Sequence, residues 1–287
     1  MTYRIEIPMI GAALAWLQAA RGLLAAGVPP GHISWQAPDS APDLFGGQTR
    51  APEGKPITVS RRFVRMANTV VWHRDPERFA RLYRLLWRLQ KEPYLIGDHG
   101  DPEFAHLRRM EKNVHRCQHK MKAFVRFREI GNPQAARRSF AAWFEPTHFT
   151  LEPTADFFMR RFGDMDWRIM TPDATAYFID GHLTLSEGRQ RPDLPDDAQE
   201  ALWITYFQSI FNPARLKVAA MQSEMPRKYW HNLPEAAAIS QMVQTAQERA
   251  QEMARAAPTL PPLRAEKILA RSARQRTDAE DDTTVLE

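Results

Sequence analysis

The chain has 287 residues, a net charge of +5, an estimated pI near 9.5 and one cysteine. That length supports one large domain or two small ones. A single cysteine, Cys117, rules out a disulfide within the chain and any iron–sulfur cluster held by several of its own thiolates.

In chain order, residues 3–7 predict a strand and 11–26 a helix that stops at Gly27, Pro29 and Pro30. His32 to Gln36 predicts a second strand. The opening Met-Thr-Tyr-Arg-Ile-Glu-Ile-Pro does not read as a signal peptide, and Gln18 and Arg21 break the apolar run that follows. A cytoplasmic protein that does not enter the membrane is the expectation. Residues 37–57, rich in Pro, Gly and Asp, predict a long loop. A main domain is expected over 58–255 and a flexible tail over 256–287, with 1–36 a strand–helix–strand element.

The charge is concentrated. Arg61 to Lys91 carries nine Lys/Arg against Asp75 and Glu77, a local +7; Phe104 to Glu129 carries eight against Glu111 and Glu129, a local +6. Ser60 can cap a helix over 61–72. Asp75-Pro76-Glu77 predicts the start of the next helix, running to Gln90. Phe79, Leu82, Leu86 and Leu89 form its apolar stripe, and Arg78, Arg81, Arg84, Arg88 and Lys91 lie opposite. Asp101-Pro102-Glu103 starts another helix. It buries Phe104, Leu107, Met110, Val114, Cys117 and Met121 and turns Lys112, His115, Arg116, His119 and Lys120 outward. Two such basic faces suit contact with phosphates, the alternative being plain solvated helix faces.

The period then changes. Phe124 to Ile130 alternates as a strand with Arg126 and Arg128 on one face, and Phe140 to Phe144 predicts its partner. A short helix over 154–164 follows, then strands at 167–170, 174–179 and 182–185, with Asp180-Gly181 a two-residue hairpin turn. Helices are predicted over 196–211, from Pro213 to Glu224, and from Leu233-Pro234 to Arg255. The fold class is α+β, mostly helical with a small, largely antiparallel sheet.

Three groups carry candidate chemistry. His115 and His119, four apart on a helix, can reach one metal ion, but Cys117 faces away from them; a cationic surface is the preferred reading, with no metal assigned. Glu145 and His148 flank Pro146 after an aromatic pair and are the candidate acid–base residues; a turn in which Glu145 pairs with an arginine is the alternative. Arg215 and Lys217, then Arg227, Lys228, Tyr229 and Trp230 between Pro226 and Pro234, place cations beside aromatic faces. They suit phosphate contact and base stacking, unless Tyr229 and Trp230 are packing anchors. No phosphate-binding Gly-Lys-Ser/Thr loop, dinucleotide glycine pattern, zinc-deaminase cysteine pair or serine nucleophile elbow is present, and no cofactor is assigned.

Longer blocks carry a resemblance. They are Trp72-His73-Arg74-Asp75-Pro76-Glu77-Arg78-Phe79, the run from His119 to Glu129, Ala142-Trp143-Phe144-Glu145-Pro146-Thr147-His148, Phe157 to Phe162, Ser209 to Lys217 and Met225 to Pro234. Over residues 1–255 the chain resembles a bacterial domain of unknown function catalogued as a probable DNA metabolism protein. That domain occurs alone or as the N-terminal half of chains ending in a uracil-DNA-glycosylase-like domain. Its genes accompany a radical S-adenosylmethionine (SAM) protein. The resemblance implies DNA metabolism and assigns no catalytic residue. With Cys117 as its one cysteine, the chain resembles the free-standing form or the isolated N-terminal half. The expected function is DNA binding in a repair or base-modification system, with DNA and a radical SAM protein or glycosylase as partners. The alternatives are an enzyme acting on a nucleobase or glycosidic bond through Glu145 and His148, and an interaction subunit without DNA affinity.

Overall fold

The computed structural model describes residues 2–36, 58–192, 204–205, 221, 224–233 and 236–255. The predicted loop at 37–57, the helices over 196–211 and 213–224 in the main, and the tail at 256–287 lie outside the described residues, as do Arg215 and Lys217.

The first unit is β1 (Tyr3–Glu6), α1 (Ala12–Ala25) and β2 (Ile33–Gln36), with β1 and β2 paired in parallel. Parallel pairing needs a crossover, and α1 provides it. Next come α2 (Arg61–Val70), α3 (Arg78–Leu89) and α4 (Pro102–Phe124). The Ser60 side chain accepts the Arg62 N–H at the start of α2, as the sequence predicts. Asp101 does the same for α4, accepting the Phe104 N–H at 2.9 Å. Helix α3 starts later than its Asp-Pro-Glu signal. The Asp75 carboxylate accepts the Glu77 N–H, closing a turn over 75–77, and helical geometry begins at Arg78.

Five strands follow: β3 (Arg128–Ile130), β4 (Ser139–Trp143), β5 (Asp166–Met170), β6 (Ala174–Ile179) and β7 (His182–Glu187), in sequential order. All neighbours are antiparallel except β4 and β5, which are parallel and joined through α5 (Leu151–Arg161). The fold is therefore α+β with a mostly antiparallel sheet, but five strands make that sheet larger than expected. The β6–β7 hairpin turns at Asp180 (φ 49°) and Gly181 (φ 81°), the left-handed pair this turn requires. The strand predicted from Phe124 shortens to Arg128–Ile130. Phe124 continues the helical spacing of Met121 and is buried with it, so α4 keeps that residue. A 3-10 turn over Arg227–Asn232 leads towards α6 (Ala236–Arg255).

Two apolar clusters result. The first joins Ile5, Trp16 and Leu23 to Phe63, Leu82, Tyr83, Phe104, Leu107 and Val114. The second joins Met121, Phe124, Phe144, Phe158, Trp167, Ile169, Phe178 and Tyr229. Helix α4 contributes to both. Among the described residues, no helix is long and apolar enough to cross a membrane.

Candidate nucleic-acid interface

The stripe of α3 is buried as predicted, and this sets its arginines on the other side. Those arginines meet carboxylates. Arg81 pairs with Glu77 at 2.7 Å and Glu103 at 3.6 Å; Arg84 pairs with the same two at 3.9 and 3.6 Å. Arg88 pairs with Asp101 at 2.6 Å and Glu92 at 3.8 Å. The hydrogen bond from Arg88 holds the Asp101 carboxyl below its ordinary range. Exposed pairs of this kind contribute about 0–1 kcal/mol each. Their larger effect here is to offset the positive charge of the face. Arg78, expected beside them, is 8% exposed instead: it turns inward against Phe79 and Phe149.

Helix α4 differs. Lys112, His115, Arg116 and His119 are exposed, as predicted. Two further exposed cations, Arg109 and Lys122, share their side of the helix. At 100° and 1.5 Å per residue, the six fall within about 140° of arc along about 20 Å of axis. Lys112 and Arg116 have no ion-pair partner among the described residues, and Arg109 contacts only the ring of His106. The same spacing rule that selects Lys112 and Arg116 also finds Arg109 in the sequence.

Lys120 corrects a prediction. It is 5% exposed rather than outward, because its ammonium bonds the carbonyl of Glu224 and, at 3.1 Å, that residue's carboxylate. The Lys120 bond in turn depresses the Glu224 carboxyl, with His119 and Arg116 adding smaller effects. Arg126 donates to the Ala123 carbonyl at 2.8 Å, and Arg128 is half-buried in β3.

The 3-10 turn resolves the choice left open for its aromatics. Tyr229 is 3% exposed, stacked on Phe144 at 5.6 Å and 14° and lying 5.8 Å from Phe124. Its hydroxyl meets that of Thr147 at 3.2 Å. It is a packing anchor and offers no face to a base. The half-buried Trp230 donates its indole N–H to the Met225 carbonyl at 2.9 Å. Arg227 and Lys228 are exposed; Lys228 donates to the Thr147 hydroxyl at 2.6 Å.

Glu145 accepts the Trp143 indole N–H at 2.9 Å. His148 is 8% exposed, its Nδ1 accepts the Arg74 N–H at 3.2 Å, and its ring stacks on His73 at 4.1 Å. Burial lowers its pKa to about 4, with help from His73, Lys228 and Arg74. Arg74, missed in the sequence, also pairs with Asp173 and lies over Phe149. His148 is thus held neutral inside a network that ties the α2–α3 turn to the β5–β6 turn. Among the described residues no group of three His, Cys, Asp or Glu side chains is arranged to hold a metal ion.

Comparison with protein families matched residues 76–235 to the family described as Domain of unknown function DUF4130. This chain belongs to that family. The DUF4130 span begins in the turn before α3 and closes after the 3-10 turn. It thus holds the α4 stripe, Glu145, His148 and Tyr229, and is narrower than the 1–255 resemblance. No curated protein and no solved structure matched the chain.

Proposed function

We propose that this DUF4130 protein binds DNA through the exposed face of α4, as part of a repair or base-modification system. The observation that carries the reading is the stripe of Arg109, Lys112, His115, Arg116, His119 and Lys122, whose cations make no carboxylate ion pair among the described residues, in contrast to those of α3, although Glu224 lies near enough to feel His119 and Arg116. Exposed cations along one line suit a phosphate backbone and release its counterions on contact. A partnership with a radical SAM enzyme or a uracil-DNA-glycosylase-like protein rests on the sequence resemblance and belongs to the same proposal. The enzymatic reading through Glu145 and His148 has less support, since His148 spends its ring on Arg74 and His73.

Fluorescence anisotropy with duplex and single-stranded oligonucleotides across a salt series tests the reading. Affinity is expected to fall steeply with salt. Replacing both Lys112 and Arg116 by alanine should reduce the log–log slope by about 2, one for each phosphate that the variant no longer neutralises. A protein with no salt-sensitive affinity for either form of DNA does not work this way.

A further inference from the structure

A cleft of about 400 Å³ opens where the carboxyl ends of β1 and β2 meet the start of α1 and the α2–α3 turn. Its walls include Trp35, Trp72 and Phe149, and its polar groups include Ser34, Gln36 and Arg78. Arg74 also borders it, and no carboxylate residue does among the described residues. The volume falls within the range typical of small-molecule sites. The place is the one a parallel strand–helix–strand unit ordinarily offers to a ligand, beyond the strand ends.

Two groups in this cleft lack a counterpart. Arg78 is a buried guanidinium that makes no direct ion pair among the described residues, the Asp75 carboxylate attracting it only from beyond contact distance. Its Nε donates to the Val71 carbonyl at 2.8 Å and its Nη1 to the Asp75 carbonyl at 3.1 Å, which leaves Nη2 without a described acceptor. A buried cation is costly unless an anion compensates it. Desolvation lowers its pKa to about 10, so it stays charged at neutral pH. The second group is the Gln36 side-chain carbonyl. Its amide nitrogen reaches the Ser34 hydroxyl at 3.5 Å, while the oxygen is buried with no donor among the described residues. Ala12, the first residue of α1, adds first-turn N–H groups that the helix leaves unpaired, and Glu152 has taken the N–H of the preceding Gly11.

We propose that this cleft binds a nucleoside 5′-phosphate, with the phosphate on Arg78, the ring against the aromatic walls, and a ring-edge amine donating to Gln36. The pairing follows from the chemistry of the walls: an anion for the guanidinium that has no direct ion pair, an N–H donor for the carbonyl that has none among the described residues, and a planar apolar body between them. The site goes beyond the α4 reading and does not depend on it. The ligand has two possible sources, a free nucleotide or an unstacked nucleotide of a strand. His106 of α4 lies 4.0 Å from Asp75, so the first turns of α4 sit beside the turn that bears Arg74 and Arg78.

The test is calorimetric titration of the full chain with deoxyadenosine 5′-monophosphate, deoxyadenosine and inorganic phosphate. Nuclear magnetic resonance signals of the Trp35 and Trp72 indoles and the Gln36 amide report the place of binding. The nucleotide should bind saturably and shift all three. Deoxyadenosine should bind at least about tenfold more weakly, the scale of a missing charge-assisted hydrogen bond. Arg78→Met should cost a similar factor. Gln36→Leu, at the end of a strand, should weaken binding severalfold and serves as the second variant if Arg78→Met does not fold. A mismatched duplex that binds more tightly than its matched counterpart, with the same indole shifts, identifies the strand as the source; equal binding identifies the free nucleotide. The proposal is overturned if neither the nucleotide nor the mismatched duplex binds saturably. It is equally overturned if binding leaves the three signals unmoved or is undiminished in folded Arg78→Met or Gln36→Leu. Nucleotide binding without salt-sensitive DNA affinity would overturn the α4 reading and leave this site standing.

Discussion

At the scale of single residues, the informative side chains are those placed against the rule of their own element. Arg78, Lys120 and His148 are all polar and all buried. His148 makes a testable case because its charge state is coupled to folding. Its folded pKa of about 4 lies below the ordinary 6.5, so the unfolded chain takes up the proton first. The stability this contributes is complete above about pH 6.5 and is lost as pH falls towards 4. Between pH 7 and pH 5 the loss amounts to about 2 kcal/mol. Urea denaturation at the two pH values should show that loss in the native protein and a smaller one in His148→Gln. An identical loss in both would remove His148 as the cause.

At the scale of elements, helix starts and faces were the legible part. Ser60 and Asp101 announce α2 and α4 in the sequence, and both cap as their chemistry requires. Asp101 has a second task, holding Arg88 at 2.6 Å, and two substitutions separate the two. Asp101→Asn keeps a capping oxygen and loses the ion pair, at a cost of about 1 kcal/mol or less. Asp101→Ala loses both and should cost about 1–3 kcal/mol. Chemical denaturation of the two variants checks the order; equal costs would mean that the cap contributes nothing. The illegible parts share one cause, contact across long sequence separation. The partner of Lys120 is Glu224 and that of Tyr229 is Phe144, while Arg78 turns towards Phe149. Periodicity places a residue on a face without saying what covers that face. For the same reason the basic face of α3 looked like the equal of α4. Its neutralisation comes in part from Asp101 and Glu103, the cap and the first turn of the next helix.

At the scale of the whole molecule, the family span does not enclose its own core. Residues 76–235 include α3 and α4, but the cluster these pack into also takes Ile5, Trp16, Leu23, Phe63 and Met66 from outside that span. The cleft is shared in the same way, with Ser34 and Gln36 on one side and Arg78 on the other. Any account of the family span therefore has to include the strand–helix–strand unit before it.

Helix α4 runs through both apolar clusters, with Val114 in the first and Met121 in the second. An amide between those two residues reaches solvent deuterium only when a packed neighbourhood on one side or the other gives way. Hydrogen–deuterium exchange should therefore find the backbone from Val114 to Met121 the slowest in the chain, exchanging at the rate of global unfolding, while α1 and the β6–β7 hairpin exchange earlier through partial opening. Faster exchange in that segment than at the two ends of α4 would mean that the two halves of the protein unfold independently.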